Sequence, residues 1–227
     1  MLKNLWFGVI TICFISCKKD SYYYYIINKS KIGQVTHVLI LGNSIVKHSP
    51  SSAIGWNGNW GMAASSADSD FIHILVRDIK TKDTSCSVAY KNIADFEQNY
   101  RTFELSSLDS LKNIKPDIII MRVGENVNDN AGEEFVKKYD DLINYLKTDN
   151  SVIVITDGFW PKKNVNHLIK NYALDNQYTF ISMSNLSTPE NEARGLFANQ
   201  GVAMHPNNKG MRKIANRLWK YLSMYFN

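Results

Sequence analysis

Short apolar runs alternate with amphipathic stretches along the chain from Val35 onward. Short runs bounded by polar residues are typical of buried parallel strands, and apolar residues at helical spacing predict helices that cover them. This order predicts a three-layer α/β/α sandwich around a flavodoxin-like sheet of five parallel strands. The strands are predicted over residues 37–41, 85–90, 117–123, 151–156 and 178–183. The helices are predicted over residues 63–81, 94–100, 132–147, 165–176 and 208–225.

One apolar stretch precedes this pattern. It covers residues 5–15, and its 11 residues fall short of the ~20 that a membrane-spanning helix needs. Lys3 precedes it and the small residue Ser16 follows, which is the layout of an export signal over residues 1–16. The next residue is Cys17, and Phe-Ile-Ser-Cys resembles a bacterial lipobox, in which the cysteine thiol is acylated. The alternative is an ordinary secretory signal followed by an incidental cysteine.

The lipobox interpretation predicts that Cys17 carries a lipid that anchors the protein to the cell envelope, on the periplasmic or surface side of an outer membrane. We expect Cys17→Ser to release a folded protein into the aqueous phase, because the lipid contributes nothing to the core. Detergent partitioning of the two proteins checks this expectation. Equal partitioning would contradict it.

Residues 17–33 are mostly polar and are predicted to form a tether between the lipid and a domain over residues 34–227. The tyrosines at positions 22–25 could instead form an added edge strand or a membrane-interface patch. If Cys13 leaves with the signal and Cys17 is acylated, Cys86 is the only free thiol. No intrachain disulfide is then possible, and the core alone must hold the fold.

The composition describes one globular domain and narrows its partners. The chain has 227 residues, is 44% hydrophobic, and carries 26 Lys and Arg against 21 Asp and Glu. The resulting charge of +5 is mild, and no basic stripe interleaved with aromatic residues is present, which argues against nucleic acid as a partner. The chain contains no His-Glu-x-x-His motif, Cys-x-x-Cys pair, P-loop or dinucleotide fingerprint, so neither a metal nor an organic cofactor is implied. The sequence leaves the oligomeric state open.

Polar residues follow the predicted strands where chemistry is expected. Working residues of an open parallel sheet lie at the carboxyl ends of its strands. Ser44 follows the first strand, Gly124 and Asn126 follow the third, and His205 precedes the last helix. A serine, a histidine and an amide donor are the parts of an acyl-transfer site.

At these residues the chain resembles the SGNH (GDSL-type) hydrolases. Gly42-Asn43-Ser44 stands in the place of the family's nucleophile block, Gly124-Glu125-Asn126 in that of its Gly-x-Asn block, and His205-Pro206 in that of its histidine block. Residues 55–65 and 159–161 look like a Bacteroidota subgroup that often consists of carbohydrate esterases. The resemblance implies that Ser44 is the nucleophile and His205 the base, while Asn126 and the Ser44 N–H bind the oxyanion.

Two departures from the family pattern leave roles open. Val202 stands three residues before His205, where the family has an aspartate. A Ser–His dyad oriented by a backbone carbonyl is one solution, and Asp157 or Glu125 as the acid is another. The family also takes an oxyanion donor from a glycine after the second strand, but residues 92–97 contain none. A backbone N–H near Phe96 could serve instead.

Several of these residues also have ordinary structural explanations. Ser44 could cap the following segment, and Asn126 could simply form a turn. His48, four residues after Ser44, is a rival base. Arg122 could bind substrate or be a buried partner of Glu125.

Three tryptophans, Trp56, Trp60 and Trp160, lie in loops at the predicted active edge. They could stack on sugar rings or pack the long loop onto the domain. We therefore expect a lipid-anchored carboxylic ester hydrolase that deacetylates a carbohydrate through an acyl-Ser44 intermediate. The alternatives are a lysophospholipase or thioesterase of the same family, and a catalytically inactive surface lipoprotein that binds carbohydrate.

Overall fold

The structure is a computed structural model that describes Tyr24–Tyr25 and residues 34–226. The predicted signal, the predicted lipidation site Cys17 and most of the predicted tether lie outside the described residues. In the described part, no helix is both long and apolar enough to cross a membrane.

Within the described residues, five parallel strands and one short antiparallel strand form the sheet, in the order β1-β6-β5-β4-β2-β3. They are β1 (Tyr24–Tyr25), β2 (His37–Gly42), β3 (Ser87–Asn92), β4 (Ile118–Met121), β5 (Val152–Thr156) and β6 (Thr179–Ile181). The parallel strands confirm the predicted flavodoxin-like order, whose direction of winding reverses between β2 and β4. β1 pairs antiparallel with β6, so these two tyrosines add to the edge of the sheet, as one of the alternatives for this segment had it.

Helices cover both faces of the sheet. They are α1 (Phe71–Lys82), α2 (Ala94–Asn99), α3 (Asp109–Lys112), α4 (Glu133–Leu146), α5 (Lys163–Asp175), α6 (Gln200–Ala203) and α7 (Asn208–Leu222). Because successive strand residues point to opposite faces, Val38 and Ile40 pack against α1 and α7, while Leu39 and Leu41 face the layer that contains α4 and α5. Both faces of the sheet are therefore buried in apolar clusters, which explains why these strands appear in the sequence as continuous apolar runs.

The first predicted helix, residues 63–81, begins too early. α1 starts at Phe71, where the Asp70 carboxylate caps it by accepting the N–H of His73 at 2.8 Å. Before this cap, Ala63 has a φ of 71°, which no helix residue adopts. The preceding residues instead form a long loop that continues from Ser44.

Candidate active site

The tips of β2 and β4 are neighbours, and the candidate site lies where they end. Ser44 follows β2 in a turn in which the Asn43 carbonyl accepts the N–H of Val46 at 2.9 Å. The Asn43 side-chain oxygen accepts the N–H of Ile45 at 3.2 Å, so Asn43 rather than Ser44 performs the capping role. The hydroxyl of Ser44 is thereby left for another partner.

That partner is His205, whose Nε2 lies 2.8 Å from Ser44 Oγ although the two residues are 161 positions apart. On the other side of the ring, Nδ1 lies 2.7 Å from the carbonyl oxygen of Gly201 in α6. A carbonyl can only accept, so Nδ1 carries the proton in the neutral ring and Nε2 is free to accept from Ser44. Burial lowers the pKa of His205 to about 4, so the imidazole is neutral at pH 7 and available as a base.

Neither candidate acid reaches His205. The Asp157 carboxylate accepts the hydroxyl of Ser182 at 2.7 Å and the backbone N–H of Met183. Glu125 accepts from Arg122 at 2.6 Å and from the N–H of Phe159 at 3.1 Å. Both carboxylates are buried in these networks. Of the three options left open by the sequence, the structure contains the histidine oriented by a backbone carbonyl.

Val202, which stands where an aspartate was expected, is 1% exposed and packs in a small apolar cluster. The backbone of Val202 nevertheless helps to position His205. Asn199 caps α6 by accepting the N–H of Val202 at 3.1 Å, and the Val202 carbonyl accepts the N–H of His205 at 3.0 Å. α6 therefore holds both the backbone and the ring of His205.

The predicted oxyanion donors belong to segments that Glu97 joins, because it accepts from Asn43, which precedes Ser44, and from Asn126. The backbone N–H of Ser44 donates to no acceptor within the described part of the chain. Asn126 is exposed at the tip of β4, but one proton of its amide is directed to the carboxylate of Glu97. Gly124 has a φ of 149°, a conformation that favours glycine, and an added Cβ would lie 2.8 Å from a methyl carbon of Ile169. Phe96 belongs to the first turn of α2, and its side chain is buried.

Glu97 contacts several residues of the site, and the sequence did not predict its role. It is 1% exposed, and it accepts from the amide of Asn43, the N–H of Gly124, and both the N–H and the amide of Asn126. Asn43 also donates to Glu125 at 2.7 Å, which joins the two carboxylates through one amide. Burial and the nearby negative charge of Glu125 raise the pKa of Glu97. The only signal in the sequence was that the segment lacking the expected glycine contains two acidic residues, Asp95 and Glu97.

Two predicted alternatives for nearby residues are also decided by the contacts. His48 directs Nδ1 to the carbonyl of Ser49 at 2.6 Å, so it is not the partner of Ser44. The prediction of Arg122 as a substrate ligand is wrong, because its side chain is fully buried and ion-paired with Glu125. A guanidinium group with no exposed surface cannot meet a substrate in this conformation.

The three tryptophans do not form one continuous exposed aromatic surface. Trp56 is 3% exposed and packs edge-on against Trp60 at 5.7 Å between ring centroids, so its predicted role in substrate binding is wrong for this conformation. Trp60 is half-buried and donates Nε1 to the carbonyl of Ala64 at 2.8 Å. Trp160 is the nearest to the dyad: its ring lies edge-on to His205 at 5.0 Å. It is half-buried, and its indole nitrogen donates to the carbonyl of Met204, the residue before His205, at 3.2 Å.

The fold places this chain among proteins with a three-layer α/β architecture, and several solved structures similar to it carry esterase or lipolytic descriptions. Neither protein-family models nor curated proteins show a significant match to the sequence.

A two-domain esterase active on acetylated mannans is 16% identical, with a TM-score of 0.58, and the match covers 86% of this chain but only 50% of the esterase. This chain thus spans about half the length of that protein. A mutant of an acetylxylan esterase from Geobacillus stearothermophilus is 13% identical, with a TM-score of 0.52 and coverage of 84% and 95%. A lipolytic protein of the G-D-S-L family from Desulfitobacterium hafniense is 14% identical, with a TM-score of 0.52 and coverage of 82% and 98%. At these identities the likeness concerns the fold.

Proposed function

We infer that this protein is a serine ester hydrolase that removes acetyl groups from an O-acetylated carbohydrate. The observation that carries this proposal is the contact of 2.8 Å between Ser44 Oγ and His205 Nε2, with the other ring nitrogen held by a carbonyl. A serine hydroxyl becomes a competent nucleophile when a neighbouring imidazole accepts its proton. The pair also lies at the reversal point of a parallel sheet, where such folds place their ligands.

In the proposed reaction, Ser44 Oγ attacks the acyl carbon while its proton passes to Nε2 of His205. The negative charge that develops on the acyl oxygen is stabilised by the N–H of Ser44 and by the amide of Asn126. His205 then returns the proton to the leaving sugar hydroxyl, which departs and leaves an acyl group on Ser44. Water attacks this ester while His205 takes its proton, the bond to Ser44 breaks as His205 returns the proton to Ser44 Oγ, and acetate is released.

The geometry also sets a limit on the rate. No carboxylate of the described residues contacts His205, so the imidazolium that forms when Ser44 gives up its proton is stabilised by the Gly201 carbonyl and, without contact, by the negative charge of Glu125. Burial already disfavours that charged form. The dyad is therefore expected to be slower than a triad completed by an aspartate.

The acetylated-carbohydrate substrate is suggested by the descriptions of the mannan and xylan esterases that share the fold. The test uses the purified full chain in detergent, with acetylated mannan, acetylated xylan and p-nitrophenyl esters of increasing acyl length. We expect acetate release from at least one polysaccharide and a preference for p-nitrophenyl acetate over long-chain esters. A preference for long chains would instead identify the lipase or thioesterase alternative. No turnover of any ester, with the fold intact, would support the inactive binding protein.

A further inference from the structure

We propose that Glu97 is a positioning residue of this site, which holds Asn126 and the backbone of Gly124 in the arrangement that binds the acyl oxygen. The inference rests on the proposed function, because it concerns the oxyanion side of the same reaction. It assigns a task to a buried carboxylate in the segment where a glycine donor was expected.

The contacts of Glu97 are directed at the oxyanion side of the site. One carboxylate oxygen accepts the N–H of Gly124 at 2.5 Å and the Asn43 amide at 3.1 Å. The other accepts the N–H of Asn126 at 3.3 Å and also the side-chain amide of Asn126. Glu97 thus contacts the residue before Ser44 and both ends of the Gly-x-Asn block. A carboxylate only accepts, which fixes the direction of every one of these bonds.

This arrangement has a consequence for Asn126. Its side-chain amide has two protons, and Glu97 takes one of them. Asn126 is otherwise exposed, and an exposed asparagine on a loop samples several rotamers unless something holds it. The buried acceptor therefore restricts the amide, and the remaining proton is the one available to a substrate oxygen. Preorganised donors of this kind are what oxyanion stabilisation requires.

The ionised Glu97 carboxylate makes strong hydrogen bonds to Asn126. Their strength therefore depends on pH. Hydrogen bonds to an ionised acceptor are about twice as strong as neutral ones. The titratable or charged groups near it are Glu125 and the phenol of Tyr139, and Arg122 is ion-paired with Glu125. Burial and Glu125 raise the pKa of Glu97, while the donated hydrogen bonds oppose that rise. Lowering the pH protonates Glu97 and removes the charged acceptor from Asn126.

The kinetic test compares Glu97→Gln with Glu104→Gln, the same substitution on an exposed glutamate whose side chain makes no hydrogen bond in the described part of the chain. At about pH 8.5, we expect Glu97→Gln to lower kcat about 10- to 100-fold with little change in KM, because a small displacement of a catalytic group has effects of this size. Glu104→Gln should leave both constants unchanged. An unchanged kcat in folded Glu97→Gln would overturn the proposal.

A double-mutant cycle separates positioning from general destabilisation. If Glu97 acts through Asn126, Glu97→Gln should cost almost nothing further in a protein that already carries Asn126→Ala. If Glu97 only supports the fold, the two losses in kcat should multiply. Multiplying losses would contradict the positioning role.

A second measurement does not depend on activity, so it distinguishes failure of this proposal from failure of the proposed function. In protein labelled with 15N at its asparagines, the side-chain signal of Asn126 is identified by its absence from Asn126→Ala. We expect this signal to lie downfield in the wild type, to move with the protonation of Glu97 as the pH is lowered, and to shift in Glu97→Gln but not in Glu104→Gln. A signal that matches those of exposed asparagines and does not titrate in the wild type would overturn the proposal, even if Glu97→Gln failed to fold or no esterase activity were found.

Discussion

Ser44→Ala is expected to remove ester hydrolysis almost completely, with turnover falling by at least ~10³-fold. The substitution deletes the oxygen that lies 2.8 Å from the unprotonated nitrogen of His205, and no other hydroxyl is bonded to that nitrogen in the described part of the chain. His205→Ala should have a similar effect, and the double substitution should be no slower than either alone, because nucleophile and base act as one unit. Steady-state kinetics with p-nitrophenyl acetate measure these losses.

Labelling provides a second readout for this prediction. A serine-reactive phosphonate should attach to Ser44 in the wild type and to no residue in Ser44→Ala. Loss of one hydrogen bond at a half-buried position costs only about 1 kcal/mol of unfolding free energy, so circular dichroism should show an intact fold. Full activity in folded Ser44→Ala, or labelling at another residue, would show that the proposed mechanism is wrong.

Asp157→Asn is the matched control for the dyad. Asp157 follows β5 at the same edge of the sheet, but its carboxylate is bonded to Ser182 and Met183 rather than to His205. We expect turnover to fall less than about tenfold, equivalent to ~1.4 kcal/mol. Glu125 is unsuitable for this comparison, because its amide variant would leave the buried Arg122 without its ion-pair partner. A loss of several hundredfold in folded Asp157→Asn would mean that the aspartate reaches His205 during the reaction.

Asn126→Ala carries the second large expected effect, a loss of about 10²- to 10³-fold in turnover. The substitution removes one of the two donors proposed to stabilise the oxyanion, and that contact is needed most in the transition state, so kcat should fall much more than KM changes. Asn126 is exposed, but its amide donates to the buried Glu97 carboxylate, so we expect a loss of about 1.5–3 kcal/mol of unfolding free energy with the fold retained. Asn130→Ala, in an exposed residue of the same loop, is the control and should retain wild-type kinetics. Equal activities of the two variants would exclude Asn126 from the oxyanion site.

The layout of the sheet could be predicted from local patterns. Buried parallel strands need apolar residues on both faces, and such runs are visible in the sequence, so all five parallel strands were placed within a few residues of their observed positions. Helix ends were harder to predict. α1 begins later than its apolar period suggests, because the positive φ of Ala63 is incompatible with a helix there and Asp70 caps the helix at Phe71. Ser44 and Asn126 were recognisable because they follow strands at the edge where this fold places working residues, and His205 because His205-Pro206 resembles the histidine block of the SGNH hydrolases.

The sequence by itself thus determined the architecture, which follows from periodicity, and the residues expected in the candidate dyad, which follow from their places in the chain together with the resemblance to the SGNH hydrolases. Only the tertiary structure decided what each polar group contacts. The carbonyl of Gly201 that orients His205 has no side-chain signature, because every residue has such a carbonyl. Glu97 meets Asn126 and Asn43 only when α2 packs beside the tips of β2 and β4. Arg122 and Trp56 have residue types suited to ligand binding, and burial alone assigns them to the interior. Contacts of this kind depend on the distance between chain segments far apart in sequence, and local pattern contains no information about that distance.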